Sequence, residues 1–77
     1  MLTFNFPSNI PGFTPHTYRV VQYGKLGEYF IFWPDEDVLI GGFNKIEGTW
    51  MQVSGRQMPE KFAKYLGAYI EMNYGVK

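Results

Sequence analysis

The chain has no cysteine and a single histidine, His16, and these two shortages exclude most familiar site chemistries. Without cysteine there is neither a disulfide nor a thiolate ligand for a metal ion. One histidine without further ligands makes neither a metal site nor an acid–base pair. The acidic run 35–37 is too short a loop to surround a calcium ion with oxygen ligands. We therefore expect no metal ion, no cofactor and no enzymatic activity.

The chain also lacks an excess of charge of either sign, since seven Lys and Arg balance seven Asp and Glu. A neutral chain does not have the basic surface that dominates affinity for nucleic acids. No apolar run approaches the length of a membrane span, and the first residues lack the basic and apolar regions of a signal peptide. We expect a soluble cytoplasmic protein, in the host cytoplasm if a phage encodes it.

Aromatic residues, in contrast, are abundant, at 19% of the 77 residues. The densest stretch runs from Tyr29 to Trp33 and predicts a strand, in which successive side chains point to opposite faces. Tyr29, Ile31 and Trp33 would point to one face of the sheet. Phe30 and Phe32 would point to the other. Both faces therefore need cover, whereas the sequence predicts only one helix.

The pattern along the chain predicts one α+β domain over residues 1–77. Residues 1–16 are expected to form a proline-rich extended arm, because prolines every four residues exclude a helix and disfavour a central strand. A short edge strand at 2–6 is compatible with this arm, which either completes its own core or reaches a neighbouring molecule. Residues 17–54 predict a four-strand antiparallel meander sheet, and residues 59–74 predict a helix packed on one sheet face.

The sheet is expected to have strands at 17–23, 28–33, 38–43 and 49–54, joined by turns at 24–27, 34–37 and Glu47-Gly48. An uninterrupted register gives one mostly aliphatic face, which we assign to the core: Tyr18, Val20, Ile31, Trp33, Val38, Ile40, Met51 and Val53. The opposite face mixes rings with charged and amide groups: Arg19, Val21, Tyr23, Phe30, Phe32, Leu39, Phe43, Lys45, Trp50 and Gln52. A bulge at Gly41-Gly42 would exchange the two faces downstream.

The helix has recognisable ends and one apolar stripe. Pro59 and Glu60 suit its first turn, and Gly75 suits its C-terminal cap. Large apolar side chains recur at the helical spacing and are expected to pack on the aliphatic sheet face: Phe62, Leu66, Tyr69 and Ile70.

The surplus of exposed rings favours protein–protein interaction, because interface cores are rich in aromatic residues, Met and Arg. We expect a small module that binds and modulates or inhibits a larger protein, in the style of a phage or mobile-element inhibitor of a host enzyme or defence system. One alternative is a structural homodimer formed through the aromatic sheet face, and a second is a single-stranded nucleic-acid binder. The expected partner-binding residues are Arg19, Tyr23, Phe30, Phe32, Lys45 and Trp50.

Overall fold

A computed structural model describes residues 2–23, 28–33 and 38–74, which form an antiparallel sheet with one helix on one face. The predicted turns at 24–27 and 34–37 lie outside the described residues. No helix in the described ranges is long and apolar enough to cross a membrane. In chain order the elements are β1 Leu2–Ser8, β2 His16–Gln22, β3 Tyr29–Phe32, β4 Leu39–Ile46, β5 Thr49–Gly55 and α1 Glu60–Tyr74.

The α+β class, the antiparallel sheet and the C-terminal helix are confirmed, but the sheet has five strands rather than four. The additional strand, β1, lies in the segment 1–16 that was predicted to be an arm. Its Pro7 pairs with Thr17 at the outer edge of the sheet, where a missing N–H breaks no ladder hydrogen bond. Phe4 and Phe6 are buried and belong to the hydrophobic core. This segment therefore completes the protein's own core.

The turn between β4 and β5 follows the sequence prediction. Glu47 and Gly48 have φ angles of 51° and 81°, the left-handed pair that a two-residue hairpin turn requires. Ile46 consequently pairs with Thr49, as an uninterrupted reading of the loop length predicts. Cross-strand partners next to the turn lie on the same face, so the faces of the β4 side chains determine those of the β5 side chains.

A bulge in β4 changes which side chains point to the helix. Ile31 pairs with Gly41 whereas Phe32 pairs with Leu39, so Ile40 is an extra residue in β4. An extra residue breaks the strict alternation of faces. Every side chain of β4 beyond Ile40 therefore points to the face opposite from the predicted one.

A second bulge lies further along the same hairpin. Gly42 pairs with Ser54 whereas Phe43 pairs with Gln52, which leaves Val53 as the extra residue of β5. The pairing register of the sheet thus shifts twice close to Gly41-Gly42, where the sequence suggests a bulge. The bulge at Ile40 decides the faces of Phe43 and Trp50, whereas the bulge at Val53 affects only the end of β5.

Helix α1 packs its predicted stripe onto the sheet. The Phe62 ring lies 5.8 Å from that of Phe6, and 5.3 Å from those of Tyr18 and Phe43, measured between centroids. Edge-to-face and tilted ring pairs of this kind add to the free energy of burial. The fully buried helix residues are Phe62, Leu66 and Ile70, with Ala63 and Gly67 beside them.

Truncating the centre of this stripe should destabilise the protein strongly. Leu66 has 0% of its surface exposed, so Leu66→Ala should cost about 2–5 kcal/mol of unfolding free energy. A domain of this size has about 4–12 kcal/mol in total. The measurement is the urea midpoint, with Met72→Ala as a control on the same helix, because Met72 is 83% exposed. An unchanged midpoint in Leu66→Ala would contradict the packing of α1.

Candidate binding surface

The sheet face opposite α1, which we call the open face, carries rings and aliphatic side chains without a helix above them. Cross-strand partners lie on the same face of a sheet. Arg19 pairs with Phe32, and Phe32 with Leu39. In the next row along the strands Val21 pairs with Phe30. These side chains alternate with the buried residues under α1 and so form one patch on the open face.

Two contacts fix the geometry of this patch. The guanidinium carbon of Arg19 lies 4.6 Å from the centroid of the Phe32 ring, an arrangement in which a cation is attracted by the face of the ring. The Tyr23 and Phe30 rings are 6.0 Å apart and tilted by 57°. Val21 is buried between these pairs, while Phe30 and Phe32 are half-buried. The patch is therefore partly preorganised rather than a set of loose side chains.

The most exposed members of the patch are Tyr23 and Leu39, with 60% and 51% of their surface accessible. Further along β4 and β5, Ile46 and Met51 add exposed apolar surface to the open face. Leaving several such groups uncovered is unusual for a monomer when they form a contiguous patch. The open face has the composition expected of a contact surface.

A polar pair borders the patch at the end away from Arg19. The hydroxyl of Ser54 donates a hydrogen bond of 3.2 Å to the carboxylate of Glu28. This pair spans Gly42, where any side chain would collide with both groups. Glycine at this position therefore allows an acidic group to lie over β4. The open face thus has a cation beside one ring and a carboxylate near the other.

Two of the predicted binding residues are not on the open face, and for these the face assignment is wrong. Trp50 is only 8% exposed and packs against Gly67 of α1. Its indole Nε1 donates a 2.6 Å hydrogen bond to Glu71, and Lys45 Nζ lies 2.9 Å from the same carboxylate oxygen. The bulge at Ile40 explains the difference, because it turns both residues towards the helix. Arg19, Tyr23, Phe30 and Phe32 are the predicted residues that the structure brings together.

The same reversal affects other residues of β4 and β5. Phe43, predicted for the open face, is fully buried in the core. Met51 and Val53, predicted for the core, are exposed. Val38, also predicted for the core, is exposed as well, but it precedes the bulge, so the reversal does not explain it. Sequence reasoning therefore missed Met51 as a member of the open face.

Gln52 was also assigned to the open face, but it holds the connection between β5 and α1. Its Nε2 donates hydrogen bonds to the carbonyl oxygens of Ser54 and Arg56. Its Oε1 accepts the backbone N–H of Met58 at 2.7 Å. Two of these bonds satisfy backbone groups of Arg56 and Met58, which belong to neither β5 nor α1. The Gln52 amide therefore fixes the β5–α1 connection beside the start of the helix.

The bonds from Trp50 and Lys45 lower the pKa of Glu71 from its ordinary value of 4.5, because both groups stabilise the charged carboxylate. A lowered folded-state pKa stabilises the protein above the unfolded value, and this stabilisation is lost as the pH falls through the folded-state pKa. We expect the urea midpoint to fall in acid, and to fall less in Glu71→Gln. Glu60→Gln, which removes the same charge from an exposed position of α1, is the matched control. Equal acid sensitivity of wild type and Glu71→Gln would contradict this coupling.

The metal-ligating residue types are dispersed in the part of the chain that the structure describes. Within 2–23, 28–33 and 38–74, no three His, Cys, Asp or Glu side chains are placed to hold a metal ion. His16 contacts the rings of Trp33 and Tyr18, with centroids 5.5 and 6.0 Å away. The acidic run 35–37 lies outside the described residues. The open face therefore remains the candidate site.

In comparisons with known proteins, the chain matches no family model, no curated protein and no solved structure. The candidate site consequently rests on the geometry and chemistry of its own residues.

Proposed function

We propose that this protein is an interaction module that binds a larger partner protein through the open face and thereby modulates or inhibits that partner. The observation that carries the proposal is the apolar patch formed by Arg19, Tyr23, Phe30, Phe32 and Leu39 on the side of the sheet opposite α1. Burying such a patch releases water from apolar surface, which is the main driving force of most protein association.

The patch has the features of a binding hot spot. Tyr23 and Leu39 stand out as accessible anchors, and truncation of such anchors typically costs 2 kcal/mol or more of binding. The Phe32 ring holds the Arg19 guanidinium at the edge of the apolar surface. The partner that fits best has an apolar cleft that receives Tyr23 and Leu39.

Two other functions use the same rings and remain alternatives. In a homodimer the open faces of two copies would cover each other. In a single-stranded nucleic-acid binder Phe30 and Phe32 would stack on bases. Glu28 on the same face and the net charge of zero weigh against a polyanionic partner.

Site-specific photo-cross-linking tests the proposal. A photoreactive phenylalanine analogue replaces Tyr23 on the open face or, as the matched control, Tyr65, which is 43% exposed on α1. Each variant is irradiated in extract of the cells that naturally express the chain, and adducts are identified by mass spectrometry. We expect a protein adduct from position 23 that is absent from position 65. The same proposal fails if position 23 gives no adduct, gives the adducts of position 65, or gives only its own dimer or nucleic acid.

A further inference from the structure

The two outer strands of the sheet differ in how their free edges are protected. At the β1 edge, Pro7 has no N–H to offer, and the Tyr69 hydroxyl donates to the carbonyl oxygen of Asn5 at 3.2 Å. Proline and covering side chains are common means of preventing an edge strand from pairing with another chain. The β1 edge is therefore closed to a further strand.

The β5 edge has no such protection among the described residues. Its sequence, Thr-Trp-Met-Gln-Val-Ser-Gly, contains no proline and no charged side chain. The pair Ile46–Thr49 next to a two-residue turn is hydrogen-bonded, and bonded and non-bonded pairs then alternate along an antiparallel ladder. This alternation directs the backbone N–H and C=O groups of Trp50 and Gln52 away from β4. Both residues therefore present their backbone groups to the free edge.

A groove of about 600 Å³ runs beside this edge. One side is β5, and the other is formed by the start of α1, including Met58, Pro59 and Ala63. Its width is maintained by Gln52, whose amide holds the β5–α1 connection in place. The groove therefore leaves space beside the free edge of β5.

We propose that the occupant is β5 of a second copy of this chain, paired antiparallel around a two-fold axis at Met51. In this register Trp50 of one copy lies opposite Gln52 of the other. It is the two-fold register in which both residues of both copies use their edge-facing backbone groups. Met51 then faces its own counterpart in a non-bonded pair, in which Cα atoms are about 4.5 Å apart.

Charge complementarity supports this register independently of the hydrogen bonds. Glu47 in the β4–β5 turn and Arg56 just after β5 are exposed at opposite ends of the strand. Antiparallel pairing centred on Met51 runs the β5 strands in opposite directions, so the turn that carries Glu47 in one copy lies towards the end of β5 that is followed by Arg56 in the other. The two-fold axis repeats this pair, so two complementary contacts flank the interface. The net charge of zero adds no overall repulsion between copies.

This pairing uses an edge of the sheet and leaves the open face uncovered. The two open faces would join into one continuous surface across the Met51 pair, so a partner protein could meet both copies. The inference concerns assembly and does not depend on the proposed function. Photo-cross-linking at position 23 and the oligomeric state can succeed or fail separately.

Cysteine substitution tests the register directly, because the natural chain contains no cysteine. Met51→Cys should form a disulfide-linked dimer under mild oxidation, since the expected Cα separation lies within the range that a disulfide spans. Met72→Cys places the same group at an exposed position of α1 and should stay monomeric under the same conditions. Equal yields from both variants, or no dimer from Met51→Cys, would overturn the proposal.

Sedimentation equilibrium on the unmodified chain provides the second measurement. We expect a concentration-dependent monomer–dimer equilibrium that Met51→Lys weakens about tenfold or more, because two lysines would face each other at the axis. Glu47→Lys and Arg56→Glu should each weaken the dimer, whereas the double variant should restore it. A wild-type protein that stays monomeric, a dimer insensitive to Met51→Lys, or a double variant no better than the single ones would each contradict this pairing.

Discussion

Gly67→Ala is expected to destabilise the protein by about 2–3 kcal/mol, although this substitution usually stabilises a helix. Gly67 lies on the buried side of α1, where the Trp50 indole packs directly against the helix backbone. A methyl group at this position would collide with three atoms of the indole, Cγ, Cδ1 and Cδ2. The ring cannot move away freely, because its Nε1 is bonded to Glu71. The measurement is the urea midpoint of the variant against wild type.

A double-mutant cycle separates this collision from other effects of the methyl group. In a Trp50→Val background the space above Gly67 is free, so Gly67→Ala should be neutral or slightly stabilising. Ala68→Gly, on the exposed side of the same turn, reports the cost of helix propensity alone. If Gly67→Ala stabilises the wild-type background as well, Trp50 does not pack against the helix as described.

Local patterns in the sequence predict those elements in which each residue follows a regular period. The stripe through Phe62, Leu66 and Ile70 identifies α1 and its buried side, because helical spacing places them together. The pair Glu47-Gly48 identifies the β4–β5 turn, and the loop length fixes its register. These predictions depend only on neighbours within a few residues.

The remaining features depend on contacts between segments distant in sequence. Pro7 argues against a strand until it is known that β1 lies at an edge. The bulge at Ile40 adds one residue to β4 and so reverses the orientation of Lys45 and Trp50, two of the expected binding residues. Gly67 within α1 gives no local indication that an indole will occupy the missing side chain's space. The part of the candidate site upstream of the bulge was predictable, and the part downstream was not.

The strongest test of the bulge at Ile40 compares an aromatic residue upstream of it with one downstream. The sequence pattern places both, Tyr23 and Trp50, on the same face. Trp50→Ala should destabilise the protein by about 3–5 kcal/mol, because the indole is buried against Gly67 and hydrogen-bonded to Glu71. Tyr23→Ala should change the unfolding free energy by less than about 1 kcal/mol, since most of that ring is exposed. Urea denaturation followed by far-ultraviolet circular dichroism measures both, without depending on tryptophan fluorescence.

Binding should show the reverse order: Tyr23→Ala, the more stable variant, should bind a partner more weakly than folded Trp50→Ala. Folded Tyr23→Ala should lose association with a partner at the open face, because it removes an accessible anchor without disturbing the core. Trp50→Ala should lose association only in proportion to the fraction of molecules that are unfolded, which moderate stabilisation by an osmolyte would restore. If Trp50→Ala instead remains as stable as Tyr23→Ala, the bulge at Ile40 does not turn Trp50 towards α1, and the sheet face assigned to binding must be extended to include Trp50 and Lys45.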